Sequence, residues 1–465
     1  MFEVTTMKSS FSLAPLLAAL VLAGCASTPQ LAPQPAPPAA FRDAGPAAAP
    51  APAVADGRWW QAFADPRLDA LVARAGQQNQ SIQVAAARLT QARALLRNAD
   101  AARAPQLGVA VGAARQTTIG QGPLPATYLT GIADFSYEID LFGRLAKASD
   151  AASQDAAARA ALLRDTRLLV QSQVAQAYFS LRALDDESAL VKDQVRAYHD
   201  TLRLTERRFQ AGDIAELDVA RVQSEVAATE SEALAIERQR AQVEHALALL
   251  VGDEATSFGL EAGAWDSALP VVPAGLPSSM LERRHDVAAA MASLRASQAR
   301  LGVAQAAWFP DLVLTASGGT AAPQLSDVFK ASSQAWGVGA LLSLPLFDGG
   351  RREAAQANAQ GELDAALASY REQVLTALKE VEDELSALRL LADQQRAQTQ
   401  AVDAAARATR LSATRYRNGL VSQLELLDAQ RSELRNRRQA LQVRAAQYQA
   451  TVALIRALGG GWNAV

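Results

Sequence analysis

The sequence predicts a mainly helical chain with a membrane β-barrel portion, built from two copies of one unit. Three observations predict it. A turn motif occurs twice, RFQAGDIAELDVARVQ over 208–223 and RYRNGLVSQLELLDAQ over 415–430, the second followed by Arg431. Each copy closes a long, proline-free stretch of helical periodicity, 144–209 and 351–416. Before each long stretch lie segments in which apolar and polar residues alternate, as in strands.

Taken in order, the chain opens on a leader. Met7-Lys8 begins a basic region, and both Met1 and Met7 fit as the start. The apolar run Phe11–Ala23 is too short to cross a bilayer and has the form of a signal peptide, assigned to 1–24. Leu22-Ala23-Gly24-Cys25 resembles a bacterial lipobox, so Cys25 is expected to become the lipid-modified first residue. Ala26 follows it, not the Asp that marks inner-membrane retention in many such proteins. With one cysteine in the sequence, no internal disulfide can form. Residues 25–57 read as the lipidated Cys and a Pro/Ala-rich tether, extended and semi-rigid.

The body divides into a first repeat with its linker, 58–283, and a second repeat with the C-terminal tail, 284–465. Pro105-Gln106-Leu107 matches Pro310-Asp311-Leu312, and Ile82, Leu89 and Leu96 match Val287, Leu294 and Leu301. Leu141-Phe142 matches Leu346-Phe347; a two-residue insertion after that point then aligns Gly143-Arg144 with Gly350-Arg351. Each repeat reads as helix (79–104; 284–309), strand pair, long helix, tip turn and helix (213–250; 420–457). Gly212 and Gly419 sit where the long helices stop, because glycine takes a left-handed cap without steric cost.

A long helix of this kind measures about 100 Å. The two shorter helices of a repeat, stacked end to end, would match it. Such helices need partners, and Leu363, Leu367, Tyr370, Val374, Leu378 and Val381 step by three and four, the spacing of knobs-into-holes packing. The strands are read at 133–141 and at Trp336, Val338, Ala340, Leu342, Leu344 and Leu346. Their partners carry Leu107, Val109 and Val111, and Leu312, Leu314 and Ala316; loops are placed at 116–127 and 319–334. Length and period suit outer-membrane barrel strands, though soluble amphipathic strands share them. Four strands cannot span a bilayer alone, since open edges would leave backbone groups unpaired in hydrocarbon. The chain is therefore expected to close its sheet, and its helical columns, with copies of itself. The linker 252–283, breaks near Asp185-Asp186 and Asp393, and the tail 459–465 are expected to form an irregular belt.

Together these features resemble the TolC-like outer membrane factor family, and within it the lipoprotein branch that contains OprM of the RND efflux systems. The resemblance covers about 58–460. It rests on the lipobox, the opening Trp59-Trp60, Phe63, Asp65-Pro66, Leu68 and Leu71, the duplicated strand entries, Asp140-Leu141-Phe142-Gly143, and the second tip from Tyr416 through Leu427-Asp428 to Arg431. It implies a homotrimer with a shared twelve-stranded barrel, four strands from each chain, in the outer membrane. Below it the resemblance implies a twelve-helix α-barrel in the periplasm, docked through a periplasmic adaptor to an inner-membrane RND-type transporter. It implies adaptor contacts at the tips, around Arg208, Phe209, Gly212, Arg415, Tyr416 and Gly419. It also implies a periplasmic gate at Leu424, Asp428 and Arg431. The first tip has Ala215 where the family carries a small hydroxyl residue and the second tip has Ser422.

No enzyme chemistry is legible. His199, His245 and His285 fall on separate helices without metal-ligand spacing, no phosphate-binding Gly-rich loop is present, and the net charge of −3 gives no reason to expect nucleic acid. The expected function is passive export of small molecules, with no catalytic residues, no metal and no cofactor beyond the lipid on Cys25. A periplasmic adaptor lipoprotein or a structural envelope tether are the alternatives. Adaptors carry one hairpin, and a tether has no need of barrel strands. The acidic run Glu380–Glu384 reads as a solvated helix face, lumenal in a closed tube.

Overall fold

The computed structural model describes residues 38–43, 57–116, 126–275 and 277–461. Cys25, the leader and most of the tether lie outside the described residues. Among the described residues eight α-helices and four strands follow one another: α1 Pro66–Gln78, α2 Gln80–Ala101, β1 Gln106–Gln116, β2 Ala126–Ile139, α3 Arg144–Gln210, α4 Glu216–Val251, α5 Pro277–Arg283, α6 His285–Ala306, β3 Asp311–Ala322, β4 Gln334–Ser343, α7 Arg351–Arg417 and α8 Gln423–Ala457. The two long helices are 67 residues each. None of the described helices is long and apolar enough to cross a membrane. Two compact units form, one from Arg88–Ala160 and Ala289–Arg371, the other from Ala36–Ala87, Ala161–Ala288 and Glu372–Val465. Each unit draws on both repeats.

In the first unit the four strands make one antiparallel sheet in the order β1-β2-β3-β4, leaving β1 and β4 as free edges. The register sorts the side chains by chemistry. Leu107, Val109 and Val111 share a face with Ala133, Phe135 and Tyr137, with Leu312, Leu314 and Ala316, and with Trp336, Val338, Ala340 and Leu342. The other face is mixed, carrying Gly108, Asp134, Ser136, Thr315, Ser317, Gly337 and Gly339 together with Ile132, Val313 and Leu341. Val111 at 86% and Trp336 at 82% exposure show that no described residue covers the apolar face at these two positions. A sheet in water would bury that face; a barrel in lipid presents it. Beside the sheet, Leu294 and Leu301 of α6 pack on Ala359 and Leu363 of α7, with Leu367 and Tyr370 at the margin, as the three–four spacing predicts.

Strand ends differ from expectation. β2 stops at Ile139 rather than Leu141, and β4 at Ser343 rather than Leu346. β3 runs to Ala322, and two short 3-10 turns, Leu325–Asp327 and Ala331–Ser333, fill the second loop. The two-residue insertion also falls elsewhere. Gln106 pairs with Ser136, whereas its counterpart Asp311 pairs with Ser343. As a ladder, therefore, β4 has already shifted by two residues, and the insertion is taken up in the loop before it.

The second unit holds the joints between the shorter helices. The Asn79 side chain caps α2 through the Ser81 and Ile82 N–H groups and donates to the Leu250 carbonyl at 2.8 Å, so α2 begins where α4 ends. A Cβ on Gly252, at φ +83°, would lie 2.6 Å from the Gln78 carbonyl oxygen. At the matching joint Arg284 donates to the Ala457 carbonyl (3.1 Å), and its guanidinium also binds Asp286 and Glu380. End-to-end stacking thus holds in both repeats. The opening residues form a 3-10 turn, Trp59–Phe63, and α1. Phe63 packs in tilted contact with Phe179 and Tyr448, which also meet Trp265 of the linker. Asp65 caps α1 and accepts hydroxyl bonds from Tyr178 and Ser267. Burial favours its neutral form, but those bonds outweigh burial and hold its pKa below the usual value.

Helices α3 and α7 run unbroken through Asp185-Asp186 and Asp393, where breaks are expected. Charge compensation is the reason. Asp185 lies inside but is paired with the fully buried Arg182 at 3.2 Å and with Arg240 at 2.6 Å, while Asp393 pairs one turn on with Arg396. Nor is the acidic run 380–384 simply a solvated face. Glu380 binds Arg284 and Arg456, and the Glu382 carboxylate accepts the backbone N–H groups of Arg42 and Asp43. With Phe41 buried beside them, residues 38–43 of the tether dock on α7.

Candidate functional site

The two tips lie in the second unit. In the first, Gly212 has φ +75°, and the Gly212 and Asp213 N–H groups donate to the Phe209 and Arg208 carbonyls. In the second, Gly419 has φ +68°, and the Gly419 and Leu420 N–H groups donate to the Tyr416 and Arg415 carbonyls. The two turns therefore close by the same Schellman-type pattern. Each following helix starts three residues later than the sequence suggests. Ser422 caps α8 through the Glu425 N–H, and Ala215 at the equivalent place offers no side-chain cap. At the first tip Asp213 instead accepts from Arg208 Nε at 2.9 Å.

The tips also touch. The Arg208 guanidinium lies over the buried Tyr416 ring, 5.5 Å from its centroid. Gln423 donates to the Thr205 hydroxyl at 3.0 Å in a buried contact. Leu427 is buried with Tyr198, Val222 and Val226. Phe209 and the Arg415–Glu425 pair stay at the surface.

Leu424 and Asp428 are four residues apart on α8, and neither is covered within the chain: Leu424 is 45% exposed and the Asp428 side chain 65%. Arg431 comes within 3.7 Å of Asp428 but is held by another group. Its Nε donates to Glu225 Oε2 at 2.9 Å and its Nη2 to the other oxygen. This bidentate bond to Glu225 raises the Arg431 pKa above its usual value. Sequence reasoning missed Glu225, which belongs to the first hairpin. One heptad on, Arg438 pairs with Glu232 and also with Glu187. Two Glu seven apart on α4 and two Arg seven apart on α8 were the available signal. These rungs border a groove of about 650 Å³ between α4 and α8. His199 pairs with Glu230, and no group of His, Cys, Asp and Glu among the described residues is arranged to hold a metal ion.

An apolar-faced strand sheet, 67-residue helices and glycine-capped tips define an outer-membrane duct component. The family model for outer membrane efflux proteins matches residues 71–253 and 276–460, and the chain belongs to that family. The outer membrane protein OprJ of Pseudomonas aeruginosa is 34% identical, over 98% of this chain and 97% of its own. TtgC of Pseudomonas putida, a probable efflux pump outer membrane protein, is 32% identical over 98% and 96%. Among solved structures, the outer-membrane channel OprN superposes with a TM-score of 0.87 at 29% identity, covering 94% of this chain and all of that one. The protein is a bacterial outer-membrane exit duct of an efflux pump, extending into the periplasm.

Proposed function

We propose that three copies of this chain form the duct. The observation that carries this is the sheet: one face apolar over Leu107, Val109, Leu314 and Val338, one face mixed with many small and polar residues, and both edges unpaired within the described residues. Three such sheets give twelve strands, enough to close a barrel in which every backbone group is paired. The helices close a tube in the periplasm by the same logic. The duct is not an enzyme. It conducts small molecules passively toward the outside, received through a periplasmic adaptor from an inner-membrane RND-type transporter. Arg208, Phe209, Gly212, Arg415, Tyr416 and Gly419 shape the tips that meet the adaptor. Leu424 and Asp428, exposed in one chain, face their copies across the tube axis as an apolar and an anionic ring, with Arg431 bracing them against Glu225. The lipid on Cys25 adds a second hold on the outer membrane, on top of the barrel.

The test is the mass of the detergent-solubilised protein, expected at three chains with mixed helix and strand signal by circular dichroism. A stable, water-soluble monomer without strand signal would refute the reading. The anchor is checked separately by metabolic labelling with palmitate, expected for the native protein and absent from Cys25→Ser.

A further inference from the structure

The trimeric reading leaves two edges to be joined, β4 of one copy and β1 of the next. Resting on that reading, we infer the residue-level register of this seam from the internal duplication. The ladders, not the sequence alignment, define which residues are equivalent. Gln106 pairs with Ser136, and Asp311 with Ser343, so superposing the two hairpins lays Gln106 on Asp311 and Ser136 on Ser343. In a closed barrel of equivalent hairpins, the seam from β4 to the next β1 repeats the seam from β2 to β3. In that observed seam Ser136 faces Thr315, Tyr137 faces Leu314, and Ile139 faces Leu312. Transferred to the seam between copies, Ser343 faces Ala110, Leu344 faces Val109, and Leu346 faces Leu107 of the next copy.

Strand length is consistent with this register. β2 has its last β1 partner at Ser136, yet it remains a strand to Ile139 because β3 continues beside it. β4 stops at Ser343, the equivalent of Ser136, where its own β3 partner begins. Leu344-Pro345-Leu346, which lie outside any strand in the single chain with Leu346 at a bend, are the counterparts of the last three residues of β2 and would extend β4 beside the next copy. Leu346 is 89% exposed and Leu107 is 77% exposed, and the register sets each against the other on the lipid face. Pro345 comes opposite Gly108, which carries no side chain. A proline at a free edge also discourages wrong pairings before assembly. The charge pattern differs between the two kinds of seam. Arg144 bridges Glu138 and Asp311 across β2 and β3, whereas the equivalents between copies are Pro345, Arg351 and Gln106. The seam between copies therefore relies on ladder bonds and apolar pairs, with no ion bridge at this level.

The competing register comes from aligning Leu141-Phe142 with Leu346-Phe347. It moves the seam by two residues and sets Leu341, not Ser343, against Ala110. Paired cysteines separate the two. Directly opposite residues lie about 4.5–5.5 Å apart between Cα atoms and diagonal ones about 7–8 Å, near or beyond the reach of a disulfide. Ala110→Cys with Ser343→Cys should yield covalent dimers and trimers on non-reducing gels, roughly five-fold or more above Ala110→Cys with Leu341→Cys. Each single-cysteine variant reports any contribution from Cys25. Ser136→Cys with Thr315→Cys is the matched control within one chain, expected to form without change of mass. If the 110/341 pair links more readily than 110/343, the inferred register is wrong. If neither links while the 136/315 control forms and the protein runs as a trimer in detergent, the seam does not join β4 to β1. A monomeric mass in detergent would instead sink the trimeric reading itself.

Discussion

Arg431 has two acidic neighbours, and geometry separates their roles. Glu225 takes both ends of the guanidinium, whereas Asp428 stands 3.7 Å away with most of its side chain in solvent. The pair with Glu225 ties the second hairpin to the first within one chain, leaving the Asp428 carboxylate with only the longer 3.7 Å contact to Arg431. At this exposure such a pair contributes about 1 kcal/mol or less per chain, though bidentate geometry places it toward the upper end. That is enough to bias a gate whose two states are close in energy. Glu225→Gln should therefore raise single-channel conductance about as much as Arg431→Ala, and the double variant should add little to either. Additive effects would show that the two residues act through different partners.

At the scale of elements, the sequence already carries most of the plan. The long helices, the tips and the end-to-end joints follow from proline-free periodicity and from glycine placement, which are local signals. Gly212 and Gly419 end their helices in the left-handed conformation that only local chemistry demands. What sequence reasoning missed depends on distant residues. Asp185 reads as a helix breaker until Arg182 and Arg240 are seen around it. The acidic run near Glu382 reads as solvated until the tether's backbone is seen on it. β4 looks three residues longer in sequence than it is in one chain, because its alternation runs on past Ser343, where its β3 partner begins. The tip helices begin late because residues 213–215 and 420–422 complete the turn. Ser422 then supplies a cap worth about 1 kcal/mol that Ala215 cannot match. The Arg431–Glu225 bond was legible only as a heptad coincidence between two halves of the chain.

For the whole molecule, the proposed assembly is a duct narrowed where the second tips converge. Leu424 is half-exposed in the single chain although it is a large apolar residue on a helix, as expected of a side chain whose cover is its own copies. Three Asp428 carboxylates beside it would favour cations and disfavour anions. Leu217, the counterpart of Leu424 on the first tip, is also exposed but is followed by Ala220 and Arg221 where Leu427 and Asp428 stand. Single-channel recording in planar bilayers tests this narrowing. Leu424→Ala should conduct more than the native protein, Asp428→Ala should lose cation preference, and Leu217→Ala should change less than either. If Leu424→Ala and Asp428→Ala leave conductance and selectivity unchanged while Leu217→Ala alters them, the second tip is not the gate.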